Sequence, residues 1–440
     1  MRRPAAERFV FIAAATLLVL GIVFGAGLYS GHSKNAIYRA VLGVYDPLKE
    51  LRTEWPNLTG SYPVHFLRPA RYDGNGVTVN TVRDDGEKLI LLSGFFGENN
   101  GVRLIRRDGS VVASWTISAQ ALFPDRSFCR NPPVTDWNAI PHGTVAWPDG
   151  SIALSFESCG MVRLDRCGKV LWNTAPLVTH HSPTLDDNGD IVISGGKYVD
   201  ETTGNIRWPF RGSYWEDLVY RFTRDGKLTF ERPVTQLFHD NDMAWLLSAT
   251  GTFSTSVSGE FHLNEVEALS GAMAPAFPMF AAGDLMLSLR NRNLILVTDP
   301  EVRTVKWWRI GPWIRQHDPD FEPDGTITVF DNHTDETTKG MRAGGSRIYQ
   351  VNPATNETRI VYGGTDKQHY YTAERGTHQM QPGGGVLITE AQAGRIFEVD
   401  ADGNIVWEFV NRYDKDRVTW VHDAAVYPAD FFKVSDWSCA

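Results

Sequence analysis

A short apolar strand, a turn and a second strand often ending in an aromatic residue recur six times along the chain, and a second strand–turn–strand half precedes most copies. With 40 glycines among 440 residues and 12% aromatics, this repetition predicts an all-β fold, a six-bladed β-propeller. An uncharged N-terminal stretch predicts a transmembrane helix ahead of it, followed by a short juxtamembrane helix. The 42% hydrophobic and 22% charged fractions are ordinary for a globular chain and exclude wholesale disorder. A net charge of −9 argues against nucleic acid as the main partner, because phosphate binding needs a basic face.

Residues 9–28 read FVFIAAATLLVLGIVFGAGL and carry no charge. As a helix they span about 30 Å, the thickness of a bilayer's hydrocarbon core. Arg2, Arg3 and Arg8 precede them and hold the N-terminus in the cytoplasm by the positive-inside bias, so everything after Gly31 is exported. A cleaved signal peptide competes with this reading, but its apolar region is usually shorter. The expectation is therefore an uncleaved single-pass anchor in the inner membrane, with the propeller in the periplasm or outside the cell. Residues 35–51 follow with Ile37, Val41, Leu42, Tyr45 and Leu48 at helical spacing, and Pro47 is expected to end or kink that helix. This divides the chain into 1–31 (cytoplasmic tip and anchor), 32–75 (helix and linker) and 76–440 (propeller).

The outer half of the blade appears as GVRLIRRDGSVVASW (101–115), GMVRLDRCGKVLW (160–172), DLVYRFTRDGKLTF (217–230), NLILVTDPEVRTVKWW (293–308), SRIYQVNPATNETRIVY (346–362) and GRIFEVDADGNIVWEF (394–409). Asp108-Gly109, Asp225-Gly226 and Asp402-Gly403 mark these copies as hairpins, since such dipeptides supply positive φ. The inner half appears as HGTVAWPDGSIALSF (142–156), HSPTLDDNGDIVIS (181–194) and HDPDFEPDGTITVF (317–330), with HQMQPGGGVLITE (378–390) as a shortened copy. Radial closure accounts for a β domain of this size without exposed sheet edges.

Histidines stand at the starts of these inner strands. His142, His181 and His317 each lie seven residues before a turn residue, Asp149, Asn188 or Asp324. His262 opens a fourth blade and His422 the closing segment, while alternation is expected to put His378 on the same side. Propeller folding requires none of them. Such a ring could hold zinc or copper, or supply a nucleophile and an acid for transfer of an anionic group. Arg290 and Arg292, in DLMLSLRNRN, are read as lying on a blade strand with one facing the channel. A guanidinium there repels a metal dication but forks onto sulfate or phosphate oxygens. Neither a phosphate-binding G-x-x-x-x-G-K-[ST] loop nor a G-x-S-x-G elbow is present.

The string QHDPDFEPDGTITVFDNH (316–333), followed by SRIYQVNP (346–353) and GRIFEVDADGNIVWEFVN, resembles the bacterial arylsulfotransferases, as do His262-Leu263-Asn264 and Ser288-Leu289-Arg290. The resemblance covers most of residues 77–428. It implies an exported six-bladed propeller that moves a sulfuryl group from an aryl sulfate to a phenol through a sulfohistidine, with no nucleotide donor and no cofactor. By motif it implies His317 as nucleophile, His262 and Arg290 as sulfate-holding residues, and His181 as a further active-site histidine, with His180 beside it as an alternative. In the mechanism it implies, His181 or His262 protonates the departing phenolate and Arg290 neutralises the equatorial oxygens. Tyr214, Trp215, Trp308 and Trp313 are candidates equally for a phenol platform and for blade packing. Two other classes remain open at this stage: a non-catalytic envelope binding module, and a metal enzyme built on the histidine ring.

An exported domain is expected to oxidise its cysteines. The four, Cys129, Cys159, Cys167 and Cys439, include no C-x-x-C pair. The segment 118–141 and the loop after Phe156 reach the same face of the propeller, whereas Cys167 lies one strand away on the opposite face. The expected pairs are therefore Cys129–Cys159, over the histidine-bearing mouth, and Cys167–Cys439, tying down the tail.

Overall fold

The computed structural model describes residues 4–33, 35–82, 88–202, 204, 206–208, 210, 212–248 and 261–439, in two compact units, Met1–Val64 and His65–Ala440. In the first, one helix runs Pro4–Ser33 and a second Ala36–Leu58. The first is long and apolar enough to cross a membrane. Asn35 caps the second, its side chain accepting from the Tyr38 amide, and the helix passes through both Pro47 and Pro56. Pro47 thus does not end it. A proline removes only its own donor, and the apolar spacing continues through Leu51 and Trp55.

Six antiparallel sheets form the blades of the second unit, beside one two-stranded sheet. The first blade takes its innermost strand, Val421–Tyr427, from the C-terminus and Leu89–Phe96, Asn99–Arg106 and Val111–Ile117 from the N-terminal side. Blades two to six follow in chain order, with inner strands Pro141–Ala146, Val178–Leu185, Leu263–Ala268, His317–Phe321 and His378–Gln381. Gly76–Asn80 adds a fifth strand to the outer edge of the sixth blade, pairing with the strand Ile405–Val410. The ring is thereby latched twice. Ahead of residue 76, Leu67–Pro69 pairs with Arg417–Thr419, and Phe66 stacks on Phe95 at 4.7 Å, so the compact unit already includes this stretch.

Each interface between blades is an apolar layer. Val102, Leu104 and Trp115 meet Ile152 and Leu154 between blades one and two, and Ile90 and Leu92 meet Ile396 and Trp407 between six and one. Fully buried side chains of this size each contribute about 1.5–3 kcal/mol. Tight turns join the strands. At Asp108-Gly109 the Gly109 amide bonds the Arg106 carbonyl and only Gly109 has positive φ, 87°, which is the type I turn with a glycine bulge.

Bulges in the inner strands prepare the site. Register shifts occur at Pro141/Thr144, His180/Thr184, Leu263/Glu265, His317/Pro319 and Val421/Asp423, which places one beside the leading histidine of five blades. A bulge re-aims a side chain out of strict alternation. The sixth inner strand, His378–Gln381, pairs without a shift.

Candidate active site

At the bulged end of the inner strands, imidazoles gather. The ring centroids of His142 and His181 lie 4.4 Å apart, those of His180 and His181 4.2 Å, His181 and His262 5.0 Å, and His181 and His317 5.4 Å. His180 and His181 are consecutive, and a regular strand would point them to opposite faces. His181 instead has φ 60°, in the left-handed region, and the fold brings both rings into the cluster. Both rings thus stand in the cluster. His181 Nε2 and His262 Nε2 are 2.8 Å apart, so one donates to the other.

His317 is buried, 5% exposed. Its Nδ1 lies 2.6 Å from Asn332 Oδ1, while its Nε2 is buried without a hydrogen-bond partner among the described residues. The strand carrying it is braced from behind. Asn264 donates to the Gln316 carbonyl at 2.7 Å, and the Gln316 amide donates to Ser288 Oγ at 3.0 Å. Asn264 and Ser288, the polar partners in the His-x-Asn and Ser-x-Arg strings, therefore support the segment that holds His317. Asp217 accepts from the amides of Phe261 and His262 at 3.0 and 3.1 Å and fixes the approach of His262.

Arg290 is not on a strand. The sheet ends at Leu289, and Arg290–Arg292 form a single helical turn before Leu294–Thr298, because the Arg290 and Asn291 amides turn back onto the His262 and Phe261 carbonyls. That turn sets the Arg290 charge where it is felt by His142, His180, His262 and His317. Arg292 instead donates to the Leu246 and Leu247 carbonyls and stacks over Phe261 at 5.1 Å.

Burial is the leading cause that depresses every imidazole of the cluster, and neighbouring rings and guanidiniums add to it. His142 is pushed down to about 4 by burial and then by Arg375, and His180 to about 3 chiefly by burial. His181, His262 and His317 are driven well below the ordinary range, burial leading in each case. At neutral pH these rings are uncharged bases set beside the permanent charges of Arg290 and Arg375.

Two expected members lie apart. His378 bonds Asp318 Oδ2 through Nδ1 at 3.0 Å, because its strand lacks the bulge that lifts the others. His422 reaches the cluster only through Arg375, whose guanidinium is 3.1 Å from His422 Nδ1 and 3.3 Å from His142 Nε2 and also pairs with Glu157 at 3.2 Å. Sequence reasoning did not single out Arg375, Glu157 or Asn332. Asn332 had a readable signal: it lies one residue before the end of the string that begins with Gln316, and hairpin register about Asp324-Gly325 brings it back toward His317.

Of the four aromatics considered, Trp215 lines a small cavity with His180, His262, Asp217 and Arg130, and Arg130 stacks over it at 4.8 Å. Tyr214 and Trp313 are core residues, and Trp308 packs on Trp245. Cys129 is bonded to Cys159, with Cα atoms 4.3 Å apart, and this fixes the loop that carries Arg130. Cys167 is bonded to Cys439.

His180, His181 and His262 bring ligand nitrogens within 4.8 Å of one another, as do Asp318, Asp320 and His378 their own ligand atoms. The first trio could bridge a metal ion, but the Arg290 charge felt at His180 and His262 acts against a dication there. The same charge favours an anion.

Fold and site define a six-bladed propeller enzyme whose neutral imidazoles and neighbouring guanidiniums suit transfer of an anionic group. The model of the arylsulfotransferase (ASST) family matches residues 144–412, and the chain belongs to that family. Its chemistry is sulfuryl transfer, and the family points to small-molecule substrates. No curated protein matches the chain. Among solved structures, a protein of unknown function from Bacteroides caccae is similar at 13% identity over 77% of this chain and 98% of its own, with a TM-score of 0.48. A chain of a nidogen/laminin complex is similar at 12% identity over 77% and 98%, with a TM-score of 0.43. Both likenesses concern overall shape alone.

Proposed function

We propose that the protein transfers a sulfuryl group from an aryl sulfate to a phenol through a sulfohistidine on His317, without a nucleotide donor. The observation that carries this reading is His317 Nε2, a buried imidazole nitrogen with no hydrogen-bond partner among the described residues, in a ring held neutral and set within the reach of the Arg290 charge. A neutral imidazole is a nucleophile at pH 7 without further activation.

In the first half-reaction the Nε2 lone pair forms an N–S bond as the S–O(aryl) bond breaks and its electron pair leaves on the phenolate oxygen. Arg290 neutralises charge on the non-bridging oxygens. The N–H that joins His181 and His262 in the resting site turns from that bond to the departing oxygen. Because both rings are held neutral, they act as hydrogen-bond donors rather than as ionised acids, and the phenolate takes its proton from solvent. In the second half-reaction a phenol oxygen bonds sulfur, the N–S pair returns to Nε2, and the phenolic proton is released. The N-terminal apolar helix supports an uncleaved anchor holding this site on the outer side of the inner membrane, and the two disulfides support an oxidising compartment.

The test is transfer from 4-nitrophenyl sulfate to phenol by the detergent-solubilised chain. His317→Ala should lower the rate by about a thousandfold or more while the fold persists. Substantial retained activity places the nucleophile elsewhere.

A further inference from the structure

Asn332 is fully buried, and each polar atom of its side chain is engaged. Its Nδ2 donates to the Thr372 carbonyl at 2.9 Å and to the Arg375 carbonyl at 2.6 Å. Its own carbonyl accepts from Ser346 Oγ at 2.9 Å. Two carbonyls can only receive hydrogens, so the amide nitrogen must face them and Oδ1 must face His317. An amide oxygen cannot donate. The nitrogen opposite it, His317 Nδ1, therefore carries the hydrogen, and the lone pair of the neutral ring sits on Nε2.

We propose that Asn332 is a positioning residue that selects this tautomer and, because it is uncharged, keeps the Nδ1 hydrogen on the ring throughout the covalent step. The proposal rests on the sulfohistidine reading above. Its chemical content lies in the second half-reaction. When Nε2 bonds sulfur while Nδ1–H is retained, the sulfated ring carries a positive charge. When the N–S bond then breaks, the electron pair returns to a cationic ring, which leaves as neutral imidazole. A carboxylate at residue 332 would draw the Nδ1 hydrogen toward itself in the sulfated state, and the departing group would acquire imidazolate character. Imidazolate is a far poorer leaving group. A neutral amide thus suits an enzyme that must give the sulfuryl group away as readily as it takes it.

The same residue ties two parts of the site together. The Arg375 carbonyl that orients Asn332 belongs to the residue whose guanidinium bonds His142 and His422. Arg375 itself is held at φ 60°, which turns carbonyl and side chain to separate partners.

The test separates the halves of the reaction in the full chain in detergent, with 4-nitrophenyl sulfate alone and then with phenol added. Without acceptor, release of 4-nitrophenolate reports sulfation of the enzyme, and the rate after phenol reports its discharge. Asn332→Asp should keep a burst near one equivalent per site while turnover with phenol falls at least tenfold, so that sulfated enzyme accumulates. Asn332→Ala, which frees the ring, should lower both the burst rate and turnover. Nitrogen-15 NMR of the resting enzyme should find the Nδ1–H form of His317 in the wild type and a mixture of tautomers in Asn332→Ala. A merely structural role would lower burst and turnover together in both variants, in step with loss of folded protein, and would overturn the proposal, as would an Asn332→Asp enzyme that turns over like the wild type. If the wild type itself gives no burst, the sulfohistidine reading fails first.

Discussion

An imidazole that attacks sulfur must keep its lone pair, and here burial protects it. Each ring in the cluster has its protonation pushed below the ordinary range, His142 to about 4 and His180 to about 3, and His317 moves in the same direction. Protonation would remove the nucleophile, so activity should be lost as pH falls through the depressed value and not through the usual 6.5 or so. The pH profile of kcat/KM for 4-nitrophenyl sulfate should accordingly stay flat through the ordinary imidazole range, with its acid limb displaced well below it. A half-point near pH 6.5 would mean that the attacking ring is ordinarily solvated. Arg290 provides a second test at this scale. Arg290→Lys keeps the charge but loses the planar fork, and kcat/KM should fall by about two powers of ten. An unchanged value would remove Arg290 from the site, since Arg292 is committed to the Leu246 and Leu247 carbonyls.

Individual strands are where sequence reasoning reached its limit. The repeat gave the six outer hairpins and four of the inner halves, because turn dipeptides and apolar alternation are local signals. Bulges are not local in that sense: whether His378 joins His181 depends on a register shift that only pairing with the next strand reveals. Alternation alone put His378 in the cluster, and it missed that the strand of His378 pairs without the bulge that the strand of His180 and His181 carries. Arg290 was misplaced for a related reason, as its turn is made by amides folding back onto His262 and Phe261. The loop between Cys129 and Cys159 yields the prediction at this scale. Cross-linking residues separated by 30 positions should stabilise the fold by about 3.6 kcal/mol in the chain-entropy model. Cys129→Ser with Cys159→Ser should lower the unfolding temperature and loosen the loop that holds Arg130 beside Trp215. A stability equal to the wild type's would mean that the loop is held by packing alone.

At the scale of the whole molecule, the propeller was legible because closure leaves a mark on the sequence: six units, and a last histidine-bearing segment with no outer strands of its own. That segment, Val421–Tyr427, completes the first blade, and Cys439 then bonds Cys167 across 272 residues. The polar buttress Arg375 was not legible, since a lone Arg in a loop has no pattern to announce it, whereas Asn332 could have been read from its place in the 316–333 string. The central claim is that the sulfuryl group rests on His317, and the most direct measurement is peptide mass spectrometry of enzyme quenched under alkaline conditions after exposure to an aryl sulfate without acceptor. The account predicts the mass of one added SO₃ on His317, lost when phenol is supplied before the quench. An enzyme that transfers sulfate while His317 remains unmodified at every time point would contradict it.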